Sequence, residues 1–248
     1  MKKKIGIISS LDALSLLALR DTFLDEDIEI KFVIKTSLSV KSKIKLITQA
    51  FYKRSLFFLI YLYVEIIIAG IRGKGLDKEV LPKIIDVNES KLNQLSTNSK
   101  VDLLLSVRPG CILRKRFINS FPLIVNLHLT KLPHNRGIGG ILHTMLQEKS
   151  LWATLHTIQS EKVDQGLIVE QLKVSQIESG SVFENTIYAY KKSSPFIAKT
   201  LGSENFTFSS PIGGNYNSWP GREVLREMKV KGLKFFSLSD LTKNKISL

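Results

Sequence analysis

The feature that most constrains this chain is the stretch from Phe121 to Asp164. A short apolar run, Pro122-Leu123-Ile124-Val125, follows a Phe-Pro break and gives way to Asn126-Leu127-His128. An apolar run of that length behind a breaker predicts a buried strand. Side chains alternate along a strand, so Asn126 and His128 share a face at its carboxyl end. In open α/β sheets that edge is where ligands bind. Trp152 to Ile158 reads as the next strand and Leu167-Ile168-Val169 as another, with Asp164 in the loop between them. This layout allows Asn126, His128 and Asp164 to converge above neighbouring strands. All four histidines, at 128, 134, 143 and 156, lie in this one region.

The chemistry of such a trio is specific. A carboxamide donates a hydrogen bond without titrating. A histidine takes up a proton or, protonated, stabilises an oxyanion, and a nearby aspartate orients it and favours its charged form. Together they suit acyl transfer to an amine, in which the amine loses a proton and the carbonyl oxygen gains charge. No Ser or Cys nucleophile is required. His156, inside an apolar strand, reads as a histidine that packs there or supports the trio from behind, and His134 and His143 as surface or groove residues. A zinc site is not expected: the chain has one cysteine, no His-Glu-x-x-His, and no histidine pair at i and i+4.

Asn126-x-His128, the following Leu132-Pro133-x-x-Arg136-Gly137, and Val163-Asp164-x-Gly166 come in the order and approximate spacing of the 10-formyltetrahydrofolate-dependent formyltransferases, which this chain resembles. That group includes glycinamide ribonucleotide, methionyl-tRNA and sugar-amine N-formyltransferases. The resemblance is strong over roughly 100–175 and looser in the flanks. It implies Asn126, His128 and Asp164 as catalytic residues. It also implies that Gly110, Cys111, Ile112 and Leu113 follow the pterin with main-chain hydrogen bonds, and that Gly137 belongs to the cofactor-binding set. The co-substrate implied is 10-formyltetrahydrofolate. The acceptor expected is an amine on a nucleotide-linked sugar. The glycinamide ribonucleotide enzymes have a glycine-containing phosphate loop after the first strand, whereas this chain has Ser9-Ser10-Leu11-Asp12. Methionyl-tRNA enzymes carry a further tRNA-binding domain of about a hundred residues, a normal domain size, for which too little chain follows residue 190. Two alternatives stay open. One is a hydrolase that releases formate from the same folate, although such enzymes carry a domain ahead of the core and this chain begins at the first strand. The other is a non-catalytic folate-binding protein, which a longer Asp164 loop would suit.

The fold expected is α/β: a Rossmann-like, mostly parallel sheet over residues 1–190, with a small irregular carboxyl-terminal extension over 191–248. Lys4 to Ile8 and Ile28 to Ile34 read as strands, the second with Ile28, Ile30, Phe32 and Ile34 on one face. Ser10 or Asp12 could cap the helix between them. The first turn lacks the Gly-x-Gly-x-x-Gly of dinucleotide binding. Further elements expected are a basic helix over Ser39–Ala50, a strand at Ile84–Asn88 with a capped helix after it, and a buried strand at Val101–Val107. Helices are also expected over Gly137–Glu148 and Val182–Lys191, the latter capped by Ser181. Ser194–Ser218 reads as loop, and Arg222–Lys231 as a basic helix.

Leu56 to Ile71 is the most apolar stretch, with Glu65 its single charge. It falls short of the roughly 20 residues a membrane span requires. A core or subunit contact is expected, which leaves room for a homodimer. The alternative is peripheral membrane contact, helped by Lys53, Arg54, Arg72 and Lys74 at the ends, with Gly70–Gly75 as a loop. The net charge of +14 favours an anionic small-molecule partner. Its lysines and arginines are dispersed, and nucleic acid is not expected. One cysteine argues against an oxidising compartment, and Ile5–Ile8 is too short for a signal-peptide core, so the cytoplasm is expected.

Overall fold

The computed structural model describes residues 2–52, 56–72, 82–92, 94–95, 100–148, 150–176, 181–203, 205–217, 220–237 and 240. Lys53, Arg54 and Lys74, the basic residues expected to flank the apolar stretch, lie outside them, as do Ser218 and Trp219.

The chain begins β1 (Lys3–Ser9), α1 (Ala13–Leu24), β2 (Ile28–Ser37), α2 (Val40–Tyr52), α3 (Leu56–Arg72), β3 (Ile84–Asn88) and α4 (Glu89–Leu92). It continues β4 (Leu103–Val107), α5 (Lys115–Ile118), β5 (Ile124–His128), α6 (Gly140–Gln147), β6 (Ser150–Thr157), β7 (Ile168–Gln176), α7 (Val182–Gly202) and α8 (Arg222–Val230). The strands form one seven-stranded sheet in the order β3-β2-β1-β4-β5-β6-β7. The five from β3 to β5 are parallel; β6 is antiparallel to both its neighbours. This is the α/β, Rossmann-like, mostly parallel sheet that the alternation of apolar runs and helical segments implied.

Two hydrophobic clusters cover the two faces. One joins β1, β4, β5 and β6 to α1, α3, α6 and α7 through residues such as Leu14, Phe58, Leu142 and Ile197. The other joins Ile8, Phe32 and Leu104 to Leu92, Phe117 and Ile118. Strands buried on both faces are continuous apolar runs, as in Leu103-Leu104-Leu105.

The pairing of β1 with β2 corrects the expected face of β2. Its register slips between Ile5/Gly6, so that Ile5 pairs with Ile30 and Gly6 with Phe32. The extra residue, Lys31, reverses the alternation. Ile28 and Ile30 therefore pack in the first cluster while Phe32 and Ile34 pack in the second. Gly6 makes room at the bulge: a Cβ there would stand 2.6 Å from the Phe32 ring.

Helix ends follow local chemistry. Asp12 caps α1, its Oδ1 accepting from the Ser15 N–H at 2.9 Å, and Ser181 caps α7, as expected. α7 does not stop near Lys191; it runs through Pro195 to Gly202, crossing the expected boundary at 190. A proline inside a helix costs about 3 kcal/mol. Here Phe196, Ile197 and Leu201 are buried beyond it, and the Asp21 N–H donates to Ser194 Oγ at 2.8 Å. Packing thus outweighs the missing donor. α6 starts at Gly140 and not at Gly137, whose φ of 94° is not helical.

α3 carries the apolar stretch. Phe58, Leu59, Tyr61 and Glu65 are buried against the domain, so one side of it is core, as expected. Among the described residues, no helix is long and apolar enough to cross a membrane.

Candidate active site

Three strands align a polar row on one face of the sheet. Ser106 of β4 is the cross-strand partner of Asn126 on β5, which in turn partners His156 on β6. Ser106 Oγ donates to Asn126 Oδ1 at 2.9 Å. That bond turns the amide oxygen toward β4 and the amide nitrogen toward β6. There Asn126 Nδ2 donates to the Leu127 carbonyl at 3.2 Å and lies 3.1 Å from His156 Nε2. His156 Nδ1 donates to the Thr157 carbonyl at 3.0 Å, which can only accept, so that nitrogen carries a proton.

The β6–β7 loop folds Asp164 over this row. Its φ of 53° is left-handed, a region Asp enters more readily than most residues. Asp164 Oδ1 is 3.5 Å from His156 Nε2 and Oδ2 is 3.5 Å from His128 Nδ1. Oδ2 also accepts from the Gly137 N–H at 2.9 Å. On the far side of the ring, His128 Nε2 donates to the Asn135 carbonyl at 3.2 Å. The His128 ring is thus held between the Asp164 carboxylate and the Asn135 carbonyl. One carboxylate thus bridges two histidines whose rings meet edge to face, with centroids 6.3 Å apart.

Burial would by itself raise the Asp164 pKa. The charge of His128, the hydrogen bond and charge of His156, and the Gly137 N–H outweigh it, and hold the carboxyl well below the usual carboxylate range. An aspartate so placed stays ionised at any ordinary pH.

Beside the row lies a cleft of about 180 Å³ lined by Pro109, Cys111, Ile112, Leu113, Asn126, His156 and the loop from Thr157 to Asp164. Cys111, Ile112 and Leu113 border the cleft. Gly110 is not among its lining residues, but its φ of 69° makes the turn that leads into them. Gly137 is not among them either; its N–H goes to Asp164. The Cys111 thiol is pushed up to about 12 by burial and by the charge of Glu89, so it is no nucleophile at neutral pH.

Three features of this region escaped the sequence reading. The first is Ser106, whose only signal is one hydroxyl in Leu103-Leu104-Leu105-Ser106-Val107. The second is His156, which is buried as a packed residue would be but also contacts Asn126 and Asp164. The third is a strap from the carboxyl-terminal part. Asn215 Oδ1 accepts from the Asn135 N–H at 2.9 Å, and Asn217 Nδ2 donates to Asn135 Oδ1 at 2.7 Å. Asn135 Nδ2 donates to Glu148 Oε1 at 2.9 Å. The strap thereby fixes the loop whose carbonyl receives His128.

Arg108, at the end of β4, anchors the cleft loop from behind. Its Nε donates to Asp12 Oδ2 at 3.1 Å and its Nη1 to the Tyr190 hydroxyl at 3.2 Å, with Glu65 Oε2 3.6 Å from Nη2. Tyr61 Oη donates to the other oxygen of Glu65. A buried carboxylate on an apolar helix is thus paired on both oxygens, as its desolvation requires. Among the described residues no group of three or more His, Cys, Asp or Glu side chains is placed to hold a metal ion.

No protein-family profile matches the sequence, and no curated protein matches it. Solved structures do. A 4-N-formyltransferase from Francisella tularensis is 21% identical, with a TM-score of 0.56 over 87% of this chain and 76% of that one. A phosphoribosylglycinamide formyltransferase from Anaplasma phagocytophilum is 15% identical, with a TM-score of 0.57 over 89% of this chain and 100% of that one. The sugar 3-N-formyltransferase WlaRD, solved with dTDP and 5-N-formyl-THF, is 16% identical, with a TM-score of 0.53 over 88% of this chain and 70% of that one. With strand order, sheet direction and these likenesses in agreement, the chain has the formyltransferase fold.

Proposed function

We propose that this chain is an N-formyltransferase that moves the formyl group of 10-formyltetrahydrofolate to an amine, with a nucleotide-linked amino sugar as acceptor. The observation that carries the proposal is Asp164, which approaches His128 to 3.5 Å and lines, together with Asn126, a cleft bordered by Cys111, Ile112 and Leu113. The folate's ring lies in that cleft, with its formyl group toward Asn126. The acceptor amine attacks the formyl carbon. Asn126 Nδ2 donates to the oxygen as it becomes negative, and the His128 imidazolium stabilises it through its charge. Asp164 sustains that imidazolium while it is ionised, and accepts the amine proton, directly or through a water, as the amine attacks. Collapse of the tetrahedral intermediate breaks the bond to N10 of the folate and returns a proton to that nitrogen.

The choice of acceptor rests on charge and on the first turn. An excess of 14 positive charges favours an anionic substrate. The turn after β1, Ser9-Ser10-Leu11-Asp12, has no glycine-containing phosphate loop, and its Asp12 carboxylate pairs with Arg108, which weighs against a phosphoribosyl substrate. WlaRD, with dTDP and 5-N-formyl-THF bound, supports the combination of a nucleotide sugar and a reduced folate.

The test has two stages. Calorimetry with 5-formyltetrahydrofolate should show one site per chain; no heat up to millimolar ligand removes the reading. Purified protein with 10-formyltetrahydrofolate and a panel of nucleotide-linked amino sugars should then release tetrahydrofolate only when an acceptor is present. Equal release of formate without acceptor identifies a hydrolase. Folate binding without turnover on any amine identifies a binding protein.

A further inference from the structure

The α2–α3 pair carries a surface that the transfer reaction does not use. Among its described residues α2 has none buried, yet Val40, Ile44, Ile47 and Phe51 recur at i, i+4, i+7 and i+11. At 100° per residue they form one narrow stripe. They are 49–76% exposed. The half-buried residues Ser42 and Leu46 sit on the opposite side of the helix, where Ser42 Oγ donates to Glu89 Oε2 at 2.5 Å. The stripe therefore points away from the domain.

Charge on this helix is of one sign. Lys41, Lys43 and Lys45 are exposed around the stripe, and the α2 sequence contains no acidic residue. Its neighbour α3 adds Ile60, Tyr63, Ile66 and Ile67, 41–59% exposed. Its only acidic residue, Glu65, is turned inward to Tyr61 and Arg108. Contiguous apolar surface of this kind marks an interaction site. A second copy is a poor occupant, because it would bring two sets of lysines together with no outward-facing carboxylate among the described residues of α2 and α3 to separate them.

We propose that this face docks on an anionic lipid surface. α2 lies in the plane of the headgroups, its stripe below them and its lysines among the phosphates. α3 rests alongside without spanning, its inner side held by the domain core.

The experiment is co-sedimentation of the full chain with phosphatidylcholine vesicles, with and without phosphatidylglycerol. Binding is expected only when phosphatidylglycerol is present, and to weaken with added salt. Lys41→Glu with Lys43→Glu and Lys45→Glu should weaken it by at least roughly fivefold per lysine at low salt. Ile44→Asp with Phe51→Asp should abolish it; at solvent-facing positions neither set should alter the circular dichroism spectrum. As a readout independent of these variants, Phe51→Trp should shift the tryptophan emission to the blue on mixed vesicles. No sedimentation with phosphatidylglycerol vesicles at low salt overturns the proposal. So does an unmoved emission from the Phe51→Trp variant, or undiminished binding by the Ile44→Asp, Phe51→Asp variant. A dimer in light scattering that the same double variant splits overturns it too, by identifying a second copy as the occupant.

Discussion

The Gly137 N–H donates to Asp164 Oδ2 at 2.9 Å across 27 positions of sequence, and both residues have positive φ, 94° and 53°. Neither loop would hold this shape alone; each is fixed against the other. On its other side Gly137 is closed by the strap, since a Cβ there would stand 2.4 Å from the Asn217 carbonyl oxygen.

Gly137→Ala tests that dependence. The left-handed conformation and the clash with Asn217 should together destabilise the fold by about 1–3 kcal/mol. The displaced N–H should also loosen Asp164. Urea unfolding measures the first effect and turnover the second. A variant as stable and active as wild type would show that the strap and the Asp164 loop are not coupled through this residue.

Asp164→Asn keeps the shape of the side chain while removing the charge opposite two histidines. Turnover should fall by on the order of a hundredfold or more, and the affinity for 5-formyltetrahydrofolate should change little. His156→Gln is the informative companion. A histidine that only packs or supports the trio from behind would give a smaller effect than Asp164→Asn. The contacts of His156 with Asn126 Nδ2 and Asp164 Oδ1 predict a loss nearer to that of Asp164→Asn than to that of a surface change. Single-turnover kinetics on both variants decides; an Asp164→Asn enzyme close to wild-type rates would remove Asp164 from the mechanism.

The single cysteine gives a chemical test of the cleft wall. Burial and Glu89 push the Cys111 thiol up to about 12, whereas a free thiol titrates near 8.5. At pH 8 its alkylation by iodoacetamide should therefore run on the order of a thousandfold slower than that of a small free thiol. Mass spectrometry of the intact protein follows it. Rapid, complete labelling of the folded protein would mean that the loop carrying Cys111 stands open.

What the sequence revealed and what it concealed follow the range of the interactions. Asn126, His128 and the Asp164 loop were legible because strand periodicity and the order of motifs are local. The face of Phe32 was not, because a bulge is a decision between two strands: Lys31 is passed over in the β1–β2 register only once Gly6 has met the Phe32 ring. The continuation of α7 through Pro195 was hidden for the same reason; local propensity argues for a stop, and the burial of Phe196, Ile197 and Leu201 overrides it. Nothing local marks Arg108, which simply precedes Pro109-Gly110 at the end of β4. Its role lies in Asp12, Glu65 and Tyr190, which come from three different helical segments or their caps.

That arginine cluster sets the final prediction, which concerns acid. Burial would raise the Asp12 pKa, but the charge of Arg108, the Ser15 N–H and the Ser10 hydroxyl outweigh it and lower it below the ordinary value. A carboxyl whose folded pKa lies below its unfolded one stabilises the fold fully above the unfolded value, near 4. That stability is lost as pH falls through the folded value, because the unfolded chain binds the proton first. Asp164 acts with the same sign. Glu65 acts oppositely: burial raises its pKa more than Arg108 and Tyr61 lower it, so its contribution is present in acid and lost as pH rises through its folded value. Asp12→Asn removes one acid-sensitive contribution and leaves Arg108 short of a partner. At neutral pH the variant should be less stable than wild type by about 1–3 kcal/mol, the range for a group that loses a charged hydrogen bond. From about pH 5 downward the gap should narrow, because Asp12 takes up a proton in the unfolded wild-type chain while Arg108 still holds it ionised in the folded one. Urea unfolding of both proteins across that range is the measurement. A gap of constant size down to the acid end would mean that Asp12 is not held ionised by Arg108.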